Sequence, residues 1–156
     1  MLPEALLKRL ADGREHAQSA LAATLGLSAG ELAAQVDALE AAGLALNRGR
    51  TTLQLVTPIA WLDGDALVAG LTPGARARLG DVTIAFELAS TNRWLLDSGP
   101  PPLGRMRLAI AEYQHGGRGR RGRHWAMPPG AGLALSADWC FEAMPAALPA
   151  LSLAVG

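Results

Sequence analysis

Residues 117 to 123 read Gly-Arg-Gly-Arg-Arg-Gly-Arg, and strand-like apolar runs stand on both sides of them, Leu108-Ala109-Ile110-Ala111 before and Leu133 to Trp139 after. This arrangement restricts the fold sharply. A guanidinium keeps its charge at any working pH and presents a planar fork of donors, so the four arginines cannot share the core of their flanks. The run is therefore expected to be a loop between two sheet strands. Its glycines free the backbone to wrap closely around a ligand. A loop of this kind suits an anion, a phosphate or a carboxylate, held by charge-assisted hydrogen bonds. It is expected to be mobile without ligand, because ordering costs about 1–2 kcal/mol per residue in chain entropy.

The charge of the chain is uneven although its formal sum is zero. Residues 1–47 carry Lys8, Arg9 and Arg14 against Glu4, Asp12, Glu15, Glu31, Asp37 and Glu40, whereas residues 93–123 carry seven arginines against Asp97 and Glu112. A mildly acidic first part and a strongly basic second part suggest two units with different tasks. With half the residues hydrophobic and 18% charged, folded cores are expected rather than disorder. The single Cys140 excludes an internal disulfide framework and fits a reducing cytoplasm. No signal peptide and no run long enough to span a bilayer are visible, so a cytoplasmic chain without membrane attachment is expected.

The first part has helical spacing over residues 3 to 12, with Leu6, Leu7 and Leu10 on one side and Gly13 as a stop. A second helix fits Ala17 to Leu25 and ends at Gly26. Ser28 with Glu31 forms a capping box for a third helix, whose Leu32, Val36 and Leu39 share a face before Gly43. Leu44 to Leu46 and Thr51 to Val56 read as strands around a turn at residues 47–50. Three helices and a two-stranded wing are the plan of a winged helix-turn-helix. Ser28 and Gln35 on the third helix could read bases, and Arg48 and Arg50 on the wing could reach phosphates. Yet that helix carries Glu31, Asp37 and Glu40 and no basic residue. DNA binding depends first on phosphate neutralisation, so shape and charge disagree. A helical module that packs on a neighbour or partner stays open beside DNA binding.

Residues 57 to 80 are punctuated by Pro58, Gly64, Gly70, Pro73, Gly74 and Gly80, with one short helix expected from Asp63 to Ala69. The expected division is residues 1–65, a linker at 66–80, and residues 81–156. In the last part, Val82 to Phe86 reads as a strand and Ser90-Thr91-Asn92 opens a short helix. By themselves these three polar residues read as helix caps. Pro100 to Pro102 imposes an extended segment. Met106 to Glu112 is a strand buried on both faces. Gly132 to Trp139 is a third strand, with Leu133, Leu135, Ala137 and Trp139 on one side and Ala134 and Ser136 on the other. The fold class is α+β.

Ser90-Thr91-Asn92, Ala111-Glu112-Tyr113-Gln114, Gly117 to Arg123 with Trp125, and Leu133 to Trp139 together resemble the catalytic domain of the biotin–protein ligases. With a winged helix-turn-helix in front, the chain is similar to the bifunctional type that also represses the biotin operon. The resemblance implies a class II synthetase-like mixed sheet with flanking helices, of which residues 81–156 are the first part. It implies ATP-dependent attachment of biotin, through biotinyl-5'-adenylate, to a lysine of a biotin carboxyl carrier protein. It implies that Ser90, Thr91, Asn92, Gln114, Arg118, Gly119, Arg120 and Arg121 contact biotin or the adenylate, with Arg118 and Arg120 in the catalytic role. Arg120 is the first choice for retaining the adenylate. Mg2+ is expected with ATP, and no protein metal site is expected, since His16, His115 and His124 lack ligand spacing. Biotin, ATP and the carrier protein are the implied partners, while DNA and a second copy of the chain stay open.

The chain departs from the family pattern in ending at Leu148 to Gly156, an apolar stretch, without the Lys-Trp-Pro-Asn-Asp segment and small barrel that the resemblance implies. Lys8 is its one lysine. Little ligase activity is therefore expected of these 156 residues alone. A transcription regulator or nucleic-acid-binding fragment without ligase activity remains the alternative, as does an RNA-binding use of the Gly/Arg run, although such segments are usually longer and not set between apolar strands.

Overall fold

A computed structural model describes residues 1–119, 121, 123, 125, 127–143, 145, 146 and 148. The last stretch of the sequence, residues 149–156, lies outside the described residues, as does His124.

Three helices open the chain: α1 (Glu4–Leu10), α2 (Gln18–Leu25) and α3 (Ala29–Ala41). Each ends where local chemistry ends it. The backbone turns left-handed at Gly13, Gly26 and Gly43, each the residue after or just beyond a helix. The expected capping box is present: the Glu31 N–H donates to Ser28 Oγ at 3.2 Å, and the Ser28 N–H donates to Glu31 Oε2 at 2.8 Å. Two of the four unpaired donors at that helix start are thereby satisfied.

The strands of this part are β1 (His16–Ala17), β2 (Leu46–Arg48) and β3 (Thr52–Leu55), in the antiparallel order β1-β3-β2. The wing hairpin is shifted from its expected place. Leu44 does not begin β2, because its N–H donates to the Leu39 carbonyl at 3.2 Å and closes α3. β2 instead takes in Asn47 and Arg48, with Arg48 opposite Leu53. The two-residue β1 is too short to be read from periodicity. Leu6, Leu7, Leu10, Leu39, Leu53 and Leu55 are fully buried in one cluster with Leu2, Leu21, Leu32 and Val36. A fully buried leucine contributes about 1.5–3 kcal/mol.

Asp63 caps α4 (Gly64–Ala69) as expected, accepting from the Ala66 N–H at 3.0 Å. A second short helix, α5 (Pro73–Arg78), was not expected from the glycines and prolines around it. Its signal was there: Thr72 accepts from the Ala75 N–H at 3.2 Å, and Pro73 supplies the preset φ of a first helical position.

The remaining elements are β4 (Leu79–Leu88), α6 (Thr91–Asp97), β5 (Met106–Gln114) and β6 (Ala134–Trp139), with sheet order β4-β5-β6. β4 and β5 are parallel, joined through α6, and β5 and β6 are antiparallel. β5 is buried from Arg107 to Glu112, as its apolar run foretold. Arg107 is one of two exceptions in polarity, the other being Glu112, and the fold answers it. Its guanidinium pairs with the Asp138 carboxylate and donates to the carbonyls of Leu95, Ser98 and Gly99, tying the end of α6 to β5 and β6. Asp138 holds the Arg107 charge firmly, pushing its pKa further up.

β6 turns Ala134, Ser136 and Asp138 inward by degrees and leaves Leu135, Ala137 and Trp139 exposed, so the apolar side foreseen for this strand faces outward among the described residues. The two sheets are also linked. Phe86 and Tyr113, at the ends of β4 and β5, pack with Ile59 and Trp61 against the helical core. The buried Glu112 accepts from the Leu62 N–H at 2.5 Å. The whole is an α+β chain with two small sheets. None of its described helices is long and apolar enough to cross a membrane.

Candidate functional site

The carboxyl ends of β4 and β5 lie side by side, with Leu88 opposite Gln114. In sheets with parallel strands, this is the edge where ligands are usually held. Immediately beyond Leu88 the chain turns into α6, which brings Thr91 against Gln114. Ser90 is the N-cap and accepts from the Arg93 N–H at 3.4 Å. Thr91 is 3% exposed and gives Gln114 Oε1 both its N–H, at 2.7 Å, and its hydroxyl, at 3.2 Å. The same hydroxyl lies 2.8 Å from Ser136 Oγ on β6. Gln114 is thus oriented with its oxygen inward.

Thr91 and Gln114, two of the expected site residues, are therefore brought together, while Ser90, beside Thr91, caps α6. Asn92 is not part of this cluster. It is exposed on the first turn of α6 and lines a separate hollow with Leu95, Leu96, Pro100 and Asp138. Ser136 joins the cluster without having been expected as a site residue. Its signal was weak, a lone hydroxyl on the inward side of an alternating strand.

The arginine loop leaves the sheet at the same edge. The ladder of β4 and β5 continues past both strands, the His115 N–H donating to Leu88 O at 3.3 Å and the Gly116 N–H to Ala89 O at 2.9 Å. A Cβ on Gly116 would stand 2.8 Å from that Ala89 oxygen, so only glycine allows the approach. Two further bonds draw the loop into a narrow ribbon: Gly119 N–H to Arg123 O at 2.7 Å, and Trp125 N–H to Gly117 O at 2.9 Å. Arg121 lies between these pairs in the left-handed region, with φ 61°. Arg118, Arg121 and Arg123 are exposed, Gly119 is half-buried, and none of the three arginines makes an ion pair with a described residue. Guanidiniums without an ion pair among the described residues, on a loop that leaves the sheet directly after Gln114, form an arrangement that can take up an anion. Arg120, expected to act in adenylate retention, lies outside the described residues. Among the described residues no three His, Cys, Asp or Glu side chains converge on a point where a metal could sit.

The residues expected to touch DNA are placed less favourably. Ser28 is occupied by its capping box, its hydroxyl donating to Glu31 Oε2 at 2.7 Å. Gln35 is half-buried on α3. Arg48 folds back from β2 onto α3, donating to Asp37 Oδ1 and Glu40 Oε2 at 2.6 Å each and to Glu40 Oε1 at 2.9 Å. Those carboxylates, Glu40 before Asp37, raise its pKa further. Arg50 alone of the four is exposed at the wing turn without an ion pair among the described residues. The acidic helix and the wing arginine thus satisfy one another.

No family model matches the chain. Individual proteins do, and the class they define is that of the bifunctional ligase/repressors, in keeping with the resemblance carried by the motifs. The chain is 36% identical to the bifunctional ligase/repressor BirA of Salmonella typhimurium, over 99% of its own residues and 47% of that protein's. It is 35% identical to the protein of the same name from Escherichia coli, over 99% of its residues and 46% of that protein's. The chain spans about half the length of these relatives, a share consistent with their N-terminal portion.

Proposed function

We propose that the chain is the N-terminal portion of a biotin–protein ligase that also acts as a biotin-responsive repressor. In this reading residues 1–65 form a winged helix-turn-helix, 66–80 a linker, and 81–156 the first part of a synthetase-like catalytic domain. The observation that carries it is the meeting of Thr91 and Gln114, with Ser90 next to Thr91 in the chain, at the mouth of the arginine loop, in a chain alike along its whole length to proteins named ligase/repressors.

The chemistry follows from the groups present. Ser90, Thr91 and Gln114 offer hydroxyl and amide partners to the polar ring of biotin. Biotin's carboxylate attacks the α-phosphate of ATP, forming biotinyl-5'-adenylate and releasing pyrophosphate. A lysine amine of the carrier protein then attacks the activated carbonyl and displaces AMP. Bringing a carboxylate to a triphosphate gathers negative charge, and Arg118, Arg120, Arg121 and Arg123 offset it. Mg2+ enters with the nucleotide phosphates. The carrier domain, DNA and a second copy are the partners of this reading, and the reducing cytoplasm is its place.

The test is a titration with biotin, then with biotin and Mg-ATP, followed by tryptophan fluorescence and by protease digestion. Trp94 and Trp125 are 47% and 46% exposed and lie on α6 and in the loop, where a bound ligand changes their surroundings. Saturable quenching or enhancement with protection of residues 113–125 is expected. An unchanged spectrum and unchanged cleavage at millimolar biotin would sink the proposal.

A further inference from the structure

Glu87 belongs to none of the motifs above, and its carboxylate joins two parts of the chain that neither motif connects. It is the penultimate residue of β4, three positions before Ser90, and its side chain is 10% exposed. Oε2 accepts from the Leu2 N–H at 2.7 Å, a bond across 85 positions of sequence. Oε1 lies 2.9 Å from His115 Nδ1 and 3.8 Å from the Met1 amino group. Leu2 is itself in the helical core with Leu6, Leu7 and Leu10 of α1. His115 begins the arginine loop, immediately before the tight Gly116–Ala89 contact.

A carboxylate so little exposed needs its partners, because desolvation without hydrogen bonds is costly. Here the two oxygens draw those partners from two segments, the Leu2 N–H and the Met1 amino group from the stretch leading into α1 and His115 from the mouth of the loop. Loss of either donor leaves the carboxylate under-satisfied and free to turn, which loosens the other. Groups that share one acceptor in this way are coupled, not additive.

We propose that Glu87 is a positioning residue for the arginine loop, holding His115 in place against β4 while the Leu2 N–H holds Glu87. The segment before α1 is on this account a structural part of the anion-binding loop. The inference deepens the ligase reading by naming what sets the loop's starting geometry, but the linkage itself is a property of the ligand-free chain.

Hydrogen exchange of the full chain, followed by mass spectrometry, tests it. His115→Ala should raise exchange at residues 115–119 and also, by at least about threefold, at residues 2–7, which His115 does not adjoin in sequence. His115→Asn, which keeps a donor near the Nδ1 position, should restore both segments, a rescue that a merely bulky filler would not show. Glu87→Gln keeps one acceptor oxygen and should loosen both segments together. Unchanged exchange at residues 2–7 in His115→Ala, or no rescue by His115→Asn, overturns the proposal. Addition of biotin with Mg-ATP forms a separate arm. Protection of both segments in the wild type, but of the loop alone in Glu87→Gln, supports the linkage. Absence of ligand protection in every chain counts against the ligase reading instead, and the ligand-free comparison still decides the role of Glu87.

Discussion

Thr91→Val removes one hydroxyl and little volume, and so tests the cluster at the end of β4. The hydroxyl spans Ser136 Oγ at 2.8 Å and Gln114 Oε1 at 3.2 Å, in a residue 3% exposed. Gln114 keeps its stronger bond, from the Thr91 N–H at 2.7 Å, but Ser136 loses its partner. An intramolecular hydrogen bond is worth about 0.5–1.5 kcal/mol net, and a buried polar group left unpaired costs about 1–3 kcal/mol. Thr91→Val should therefore destabilise by about 1–2 kcal/mol. Ser136→Ala should cost about 1 kcal/mol, since the Thr91 hydroxyl loses its shorter bond and keeps only the longer one to Gln114. The double variant should cost about 1 kcal/mol less than the two together, because no hydroxyl is then left without its partner. Urea unfolding followed by the fluorescence of Trp94 and Trp139, on α6 and β6, measures all four chains. With a slope of about 2 kcal/mol per molar urea, the middle of the usual range, each single change moves the midpoint by roughly 0.5–1 M. Costs that add to within about 0.3–0.5 kcal/mol would refute the shared hydroxyl pair, and with it the account of how Gln114 is oriented.

Three further outcomes are expected. Asp37→Asn with Glu40→Gln should release Arg48 from α3 and tighten duplex DNA binding, steepening the salt dependence by about 0.9 in log–log slope; in fluorescence anisotropy the gain should vanish when Arg48→Ala is added, and a gain that persists would point to lost repulsion instead. Arg118→Ala should weaken binding of biotinyl-adenylate by about tenfold or more while leaving the melting temperature unchanged, because its side chain is exposed and makes no ion pair among the described residues. Acid should loosen the helical part through two carboxyls. His16, then the Arg14 N–H, holds Asp12 below its ordinary 3.8, and the Ser28 backbone and then side chain hold Glu31 below its ordinary 4.5. Carboxyls with lowered folded values stabilise at neutral pH and lose that contribution as pH falls through the folded value, so helicity followed by circular dichroism should decline below about pH 4, less steeply in Asp12→Asn with Glu31→Gln.

All the described helices but α5, with their caps and stops, were legible in the sequence, as was the α+β character of the chain. Ser28 with Glu31, Asp63 before α4, Ser90 before α6, and the glycines at 13, 26 and 43 all act within a few residues of themselves. So was the pairing of an apolar strand with a cationic loop, since four guanidiniums and the core of β5 cannot share one environment. The short-range chemistry is complete in the residues that carry it. The partners of side chains across the fold are of another kind. That Arg48 would be claimed by Asp37 and Glu40, that Thr91 would meet Ser136, that Arg107 would be satisfied by Asp138 and three carbonyls, and that Glu87 would join Leu2 to His115 depends on chain segments arriving from up to 85 positions away. Periodicity says which face of a strand is apolar, and nothing in it says which distant donor a buried carboxylate will find. Those pairings exist only once hydrophobic burial has brought the segments together, because only there does an unpaired polar group become costly enough to select its partner.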